Sequence, residues 1–301
     1  MPTIYTQAES NVRKTYFYLF SFLLLIIAVG WAFSFYYNNS TILWFFVGFS
    51  LFLNFFSYFF SDKIILLANQ AHPIKKEDNP ELYRLVENLC IAAGLPLPQI
   101  YIINEVQPNA FATGRDANHA AVAVTRGLLE KLDRAELEGV IAHELSHIGN
   151  KDMLLQTIVV ALVGVIAILS DIFYRMSWRS GFRRREERNN DMGVVLALIS
   201  LFLLVLAPIS ANLLKLAISR KREFLADASG ALLTRYPEGL ALALEKIGSD
   251  QTPLRVANNS TAHLFISNPF KGQEAMNWVS KLFSTHPPIE ERIKALREMD
   301  I

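Results

Sequence analysis

Asp133–Gly149 reads DRAELEGVIAHELSHIG, and how this stretch folds decides what the rest of the chain is arranged around. Asp133 followed three residues later by Glu136 is a capping-box pattern, and Ala135, Leu137, Val140, Ile141 and Leu145 are helix-compatible apolar residues running up to Gly149. On such a helix His143 and His147 are four apart and share a face, where both imidazoles reach one metal ion. Glu144, one step round, is placed to hold the metal's open-position water and take its proton. The same short pattern on a surface helix would be two solvated histidines. Its weight therefore comes from its apolar flanks and from a third ligand candidate downstream.

That candidate lies in Ser219–Asp227, SRKREFLAD, which begins another helix with Glu223 and Asp227 four apart on one face. Glu223 there completes a three-protein-ligand zinc site with a fourth position open, while Asp227 accepts a proton from a ligand imidazole and fixes its tautomer. The competing reading is a salt-bridged surface in which Arg220, Lys221 and Arg222 pair with both acids.

The chain has 301 residues, of which 52% are hydrophobic, and a mean hydropathy of +0.26. That is too apolar for an ordinary soluble domain and long enough for a catalytic domain with a membrane anchor. The excess falls in blocks. Thr15–Tyr37 and Thr41–Ser61 carry no charge and reach the roughly 20 residues needed to cross a bilayer. Aromatic residues crowd their ends like an interfacial belt. The first is too long for a signal-peptide core, and the pair reads as a retained hairpin. Met153–Tyr174 and Met192–Ser219, interrupted only by Asp171 and Lys215, give a second pair.

Arg13 and Lys14 before the first block, and Lys63, Lys75 and Lys76 after the second, place the N-terminus and the central domain in the cytoplasm. The loop Arg175–Asp191 disagrees: its arginines would lie across the membrane from the histidines if both flanking blocks cross. A net charge of +1 argues against a nucleic-acid partner. Cys90, the single cysteine, sits in an apolar helical pattern and reads as core.

Asp78–Gly94 reads as an amphipathic helix opened by Asn79-Pro80-Glu81 and closed by Gly94. Gln99–Ile103 and Ala120–Val124 read as strands of a small sheet. Between them Gln107–Arg115 is either a hairpin turn or a strand bordering the metal site, able to hold an extended peptide by backbone hydrogen bonds. Leu240–Ile247 continues as an amphipathic helix. His286 and Arg292, in the segment Thr285–Ile293, read as a cap and a surface charge, or as positive charge for a developing oxyanion. The expected fold is mainly α with a small β-sheet (α+β). The four segments are a membrane hairpin at 1–62, a first catalytic part at 63–152, a second hairpin at 153–219 and a second catalytic part at 220–301.

Taken together, PNAFATGR at Pro108–Arg115, GVIAHELSH at Gly139–His147, SRKREFLADASGA at Ser219–Ala231 and STHPPIEERI at Ser284–Ile293 resemble the HtpX family. These are integral membrane zinc metalloproteases among the gluzincins, the group that also includes the CAAX prenyl endopeptidases. The resemblance implies one Zn2+ per subunit held by His143, His147 and Glu223, with Glu144 as general base and Asp227 behind a ligand. It implies that His286 and Arg292 stabilise the transition state, and that Asn109, Ala110, Phe111 and Ala112 form the substrate-binding edge. It further implies a multi-pass protein of the cell (inner) membrane with its catalytic domain in the cytoplasm, cleaving misfolded or damaged membrane proteins, or unfolded polypeptides, at the bilayer in quality control under stress. A CAAX-type prenyl protease and a non-catalytic zinc-binding membrane scaffold are the alternatives.

Overall fold

Two long helices open the chain: α1 (Ile4–Tyr36) and α2 (Ser40–Ala68), joined by a turn at Asn38 and Asn39 whose Asn39 side chain caps α2. These come from a computed structural model that describes residues 4–164, 166, 220–256, 261–270 and 287–300. The apolar windows span 28 and 29 residues, with mean hydropathies of 2.2 and 1.8. Ser50, Leu53, Ser57 and Ser61 are buried along one stripe of α2, and Phe33 of α1 stacks on Phe46 of α2, ring centroids 6.0 Å apart. Ser50 donates its hydroxyl to the Leu23 carbonyl of α1. Trp31, Phe35, Trp44, Phe45, Phe52 and Phe55 face outward. Serines buried along one stripe and large apolar residues facing outward depart from the pattern of a water-soluble hairpin and match packing in lipid.

Both helices run on beyond the apolar blocks. The last turns of α2 deliver Ile65 and Leu66 into a core with Ile103, Phe111 and Phe265. The boundary drawn from composition at residue 62 thus falls inside one helix that serves both parts. The third helix, α3 (Pro80–Ala93), is amphipathic, capped by Asn79 through the Leu82 amide and ended by Gly94. Its buried face, Leu82, Leu85, Val86, Leu89 and Cys90, enters the main core. Burial pushes the Cys90 thiol up to about 11, so it stays an inert packing group.

The sheet has the order β1-β2-β4-β3, from β1 (Ala71–Pro73), β2 (Gln99–Ile103), β3 (Ala110–Gly114) and β4 (Ala120–Thr125). β2 and β4 run parallel and the outer pairs antiparallel. β1, too short and polar to signal itself, is absent from the sequence-based expectation. After β4 come α4 (Arg126–Lys131), α5 (Arg134–Gly149) and α6 (Asp152–Gly164). α6 packs against α1 and α2 through Leu155, Ile158, Val159 and Leu162, with Tyr18, Phe22 and Leu53 opposite. α7 (Arg220–Thr234), α8 (Pro237–Ser249) and α9 (Ile289–Arg297) follow. The molecule is mainly α with a small mixed sheet. The remainder of the expected second hairpin, its arginine-rich loop and His286 lie outside the described residues.

α5 is the central element, packed against α3, β3, α7 and α8. Asp133 caps it through the Glu136 amide while Glu136 reaches back to the Asp133 amide, closing the capping box. Its near-complete burial explains why it shows no clean apolar stripe. Gly230 lets α7 cross close to it: a Cβ there would sit 2.9 Å from the His143 amide nitrogen and 3.2 Å from the Ala142 carbonyl carbon.

Candidate metal centre

His143 and His147 project from one face of α5, one turn apart, with their Nε2 atoms 3.2 Å from each other. From α7, Glu223 brings Oε1 to 3.7 Å from His147 Nε2 and Oε2 to 3.9 Å from His143 Nε2. All three are buried, and one ligand atom from each falls within 4.8 Å of the others. For bonds of about 2.0–2.1 Å to a tetrahedral ion, ligand atoms should lie roughly 3.3 Å apart, so this set is close to a metal's dimensions.

Each imidazole is backed by a carboxylate on its other nitrogen. Asp227 Oδ1 is 2.9 Å from His143 Nδ1, out of line with the ring N–H, so the contact is electrostatic rather than a well-directed hydrogen bond. Asp152 Oδ2 accepts from His147 Nδ1 at 3.2 Å. Both carboxylates place the ring proton on Nδ1 and turn the Nε2 lone pairs toward each other. Two facing lone pairs beside the Glu223 carboxylate require a cation between them. In a metal's absence a proton substitutes. Burial works against charge on His147, but its hydrogen bond to Asp152 and the charges of Glu223, Asp152 and Glu144 outweigh it, raising its pKa to about 9.

Glu223, Asp227 and Gly230 fall at i, i+4 and i+7 along one face of α7. All three therefore share the stripe that meets α5. Arg292, fully buried on α9, grips Asp227 with two bonds, Nε to Oδ2 at 2.8 Å and Nη2 to Oδ1 at 2.7 Å. Its Nη1 donates to the Ile266 carbonyl at 3.1 Å and lies 3.9 Å from Glu223 Oε2. Burial opposes ionisation of Asp227, yet the Arg292 charge and hydrogen bonds, with His143, hold its carboxyl down at about 2. The Arg292 guanidinium is held above its ordinary value by the same pair, against the cost of burial. Glu144 is buried as well. Desolvation raises its pKa and Glu223 adds to this, against His143, His147 and Arg292.

The structure therefore brings together His143, Glu144, His147, Glu223, Asp227 and Arg292. Arg222, a sequence candidate for pairing with Glu223 or Asp227, lies instead toward Asp152, with Nε 3.6 Å from Oδ1. Asp152 was missed. Its signal is slight: an acid five residues beyond His147, at the mouth of an apolar block.

β3 forms the outer edge of the sheet, and its register decides what that edge offers. Asn109 accepts from the Thr125 amide, so alternate residues face β4, while Ala110, Ala112 and Gly114 turn their peptide groups outward. The Ala110 carbonyl is taken by the Ile266 amide. Asn109 exchanges two side-chain hydrogen bonds with the Ser267 backbone, and the Gly114 amide meets Thr157 Oγ1 at 3.4 Å. Among the described residues, only Ala112 keeps its outward amide and carbonyl without a partner. Phe111 points the other way and packs edge-to-face on Phe265, ring centroids 5.1 Å apart.

A buried two-histidine, one-glutamate donor set with a neighbouring glutamate, at the root of a lipid-type helical hairpin, defines a membrane-anchored, metal-dependent hydrolase. The profile of Peptidase family M48 matches residues 76–300, and this chain belongs to that family. It is a membrane metalloprotease. A protein named Protease HtpX homolog from Caldanaerobacter subterraneus is 48% identical over 301 residues, spanning 99% of both chains. Its namesake from Dictyoglomus turgidum is 49% identical over 299 residues, 99% of this chain and 95% of that one. The one from Lactobacillus acidophilus is 43% identical over 302 residues, 98% and 100% of the two chains. The crystal structure of S. mikatae Ste24p superposes with a TM-score of 0.50 at 20% identity, covering 90% of this chain and 62% of that one. It shares the fold.

Proposed function

We propose that the chain is a gluzincin-type zinc endopeptidase of the cell (inner) membrane, multi-pass through two hairpins. Its catalytic parts, residues 63–152 and 220–301, face the cytoplasm. The carrying observation is the convergence of His143, His147 and Glu223 ligand atoms within 4.8 Å of one another, with buried Glu144 alongside. His143, His147 and Glu223 would hold the zinc ion, which would supply a water with a pKa of roughly 7 and polarise the scissile carbonyl. Glu144, its proton affinity raised by burial, would take a proton from the attacking water and pass it to the leaving amine. Asp227 and Asp152 hold the two imidazoles in the ligating tautomer. Arg292 steadies Asp227 and, through it, the transition-state geometry, and His286 holds the substrate carbonyl.

Asn109, Ala110, Phe111 and Ala112 form the substrate edge, through backbone rather than side chains, with the Ala112 amide and carbonyl as the pairing groups. Pairing through peptide groups tolerates varied side chains, which suits misfolded or damaged membrane proteins as substrates.

Glu144→Gln tests the assignment. The variant should bind one zinc per chain with unchanged affinity while cleavage of an unfolded protein such as casein falls by about 10²–10⁴-fold. Full cleavage by the variant, or wild-type cleavage insensitive to chelators, overturns the proposal.

A further inference from the structure

Asn11 lies on α1, in the turns before the first apolar block and well outside the M48-matched region, yet it is 3% exposed and hydrogen-bonded at the metal centre. Its side-chain nitrogen donates to Asp152 Oδ1 at 2.7 Å and to the Asn150 carbonyl at 3.2 Å, which uses both amide protons. Its side-chain oxygen accepts from Arg222 Nη1 at 3.3 Å. Asp152 is fully buried, and its second oxygen is the one that meets His147. Asn150 caps the end of α5 that carries His147, and Arg222 immediately precedes Glu223.

One amide on the N-terminal helix thus touches the carboxylate behind one ligand, the end of that ligand's helix and the neighbour of another ligand. We infer that Asn11 is a positioning residue of the metal centre, acting through Asp152 on His147, so that metal retention depends on α1 being docked. This rests on the metalloprotease reading above and extends it: the N-terminal hairpin is part of the active centre's support as well as its anchor.

The physical basis is the cost of a buried carboxylate losing a donor. Without Asn11, Asp152 Oδ1 keeps, among the described residues, only Arg222, 3.6 Å away, and the carboxylate can turn from His147 toward that charge. Supporting groups of this kind are worth about 10–100-fold in metal affinity.

The test uses the full chain in lipid nanodiscs, with zinc and cobalt affinities measured by chelator competition and the cobalt ligand-field bands recorded. Asn11→Ala should weaken binding by about 10–100-fold and shift the cobalt bands. Asn11→Ser should do likewise, since a helical serine turns back to its own backbone. Thr15→Val is the control. Its hydroxyl, one turn along, is just as buried but bonds only the Asn11 backbone carbonyl, so this variant should bind like wild type. Added to Asp152→Asn, Asn11→Ala should cost nothing more.

Metal affinity within twofold of wild type in either Asn11 variant overturns the inference, as does an equal loss in Thr15→Val or full additivity with Asp152→Asn. If wild-type protein binds metal no more tightly than protein lacking both His143 and His147, or than an unrelated membrane protein, the underlying site assignment fails instead.

Discussion

Gly230→Ala puts one methyl group where α7 crosses α5, the helix that carries His143 and His147. The added carbon would stand 2.9 Å from the His143 amide nitrogen and 3.2 Å from the Ala142 carbonyl carbon. Ordinary contact needs about 3.5–4.0 Å, so α7 must retreat by roughly 0.5–1 Å. The obstructing atoms are backbone in a buried helix and cannot swing aside as a side chain can. Metal–ligand distances tolerate only about 0.2 Å, and Glu223 lies on the stripe that has to move. Overpacking costs about 1–3 kcal/mol, which, if it falls wholly on the bound form, is roughly 5–150-fold in the metal dissociation constant. Zinc affinity by chelator competition and thermal unfolding of metal-stripped protein separate the two effects: affinity should drop, with the apo-protein only modestly destabilised. Gly48→Ala, whose methyl meets nothing within 4 Å on α2, should change neither. If Gly230→Ala holds zinc and cleaves substrate as wild type does, helix spacing does not set the ligand geometry and the reasoning is refuted.

Asp227→Asn takes from the buried Arg292 guanidinium its hydrogen-bonded counter-charge, leaving Glu223 3.9 Å away, and should cost about 3–5 kcal/mol in unfolding free energy. An unfolding midpoint unchanged in denaturant would contradict that pairing. Arg292→Lys keeps the charge but loses the two-pronged grip, and zinc affinity should fall together with turnover; a fall in kcat alone would mean that Arg292 acts on the substrate directly. The pH response follows from two shifts of opposite sense. The Asp227 pKa is lowered from 3.8 to about 2, so its stabilisation is complete above pH 3.8 and fades as acid takes the pH toward 2. The His147 pKa is raised from 6.5 to about 9, so in metal-stripped protein its stabilisation is complete below pH 6.5 and disappears as pH rises through 9. Zinc must displace that proton, so its affinity should strengthen with pH up to about 9, and equal affinities at pH 7 and 8.5 would contradict the assignment.

What could be read from the sequence was what is encoded locally. The capping box at Asp133 and Glu136, the four-residue spacing of the histidines and of Glu223 with Asp227, and the punctuation of α3 are short-range patterns, and each foretold its element. The apolar blocks marked α1 and α2, but the extension of α2 to Ala68 was hidden because its last turns look like ordinary helix and are recruited by a tertiary core. Pairings across long separations left no trace. Arg292 choosing Asp227, Asn11 choosing Asp152, and Asn109 choosing Ser267 each join segments that nothing but the folded chain brings together. The neighbouring arginines of α7 were the natural local partners for its acids, yet Arg222 turns to the opposite side of the site. Burial of α5 on every side likewise erased the periodicity that would have shown which face mattered.

The donors come from separate stretches: the imidazoles first, the carboxylate after a long apolar interval, and the arginine that braces the assembly later still. A ribosome extending this polypeptide therefore exposes the histidine motif well before anything can complete it. The three-donor set is thus complete only once the carboxylate has been synthesised, so a chain that ends before Glu223 lacks one of the three donors.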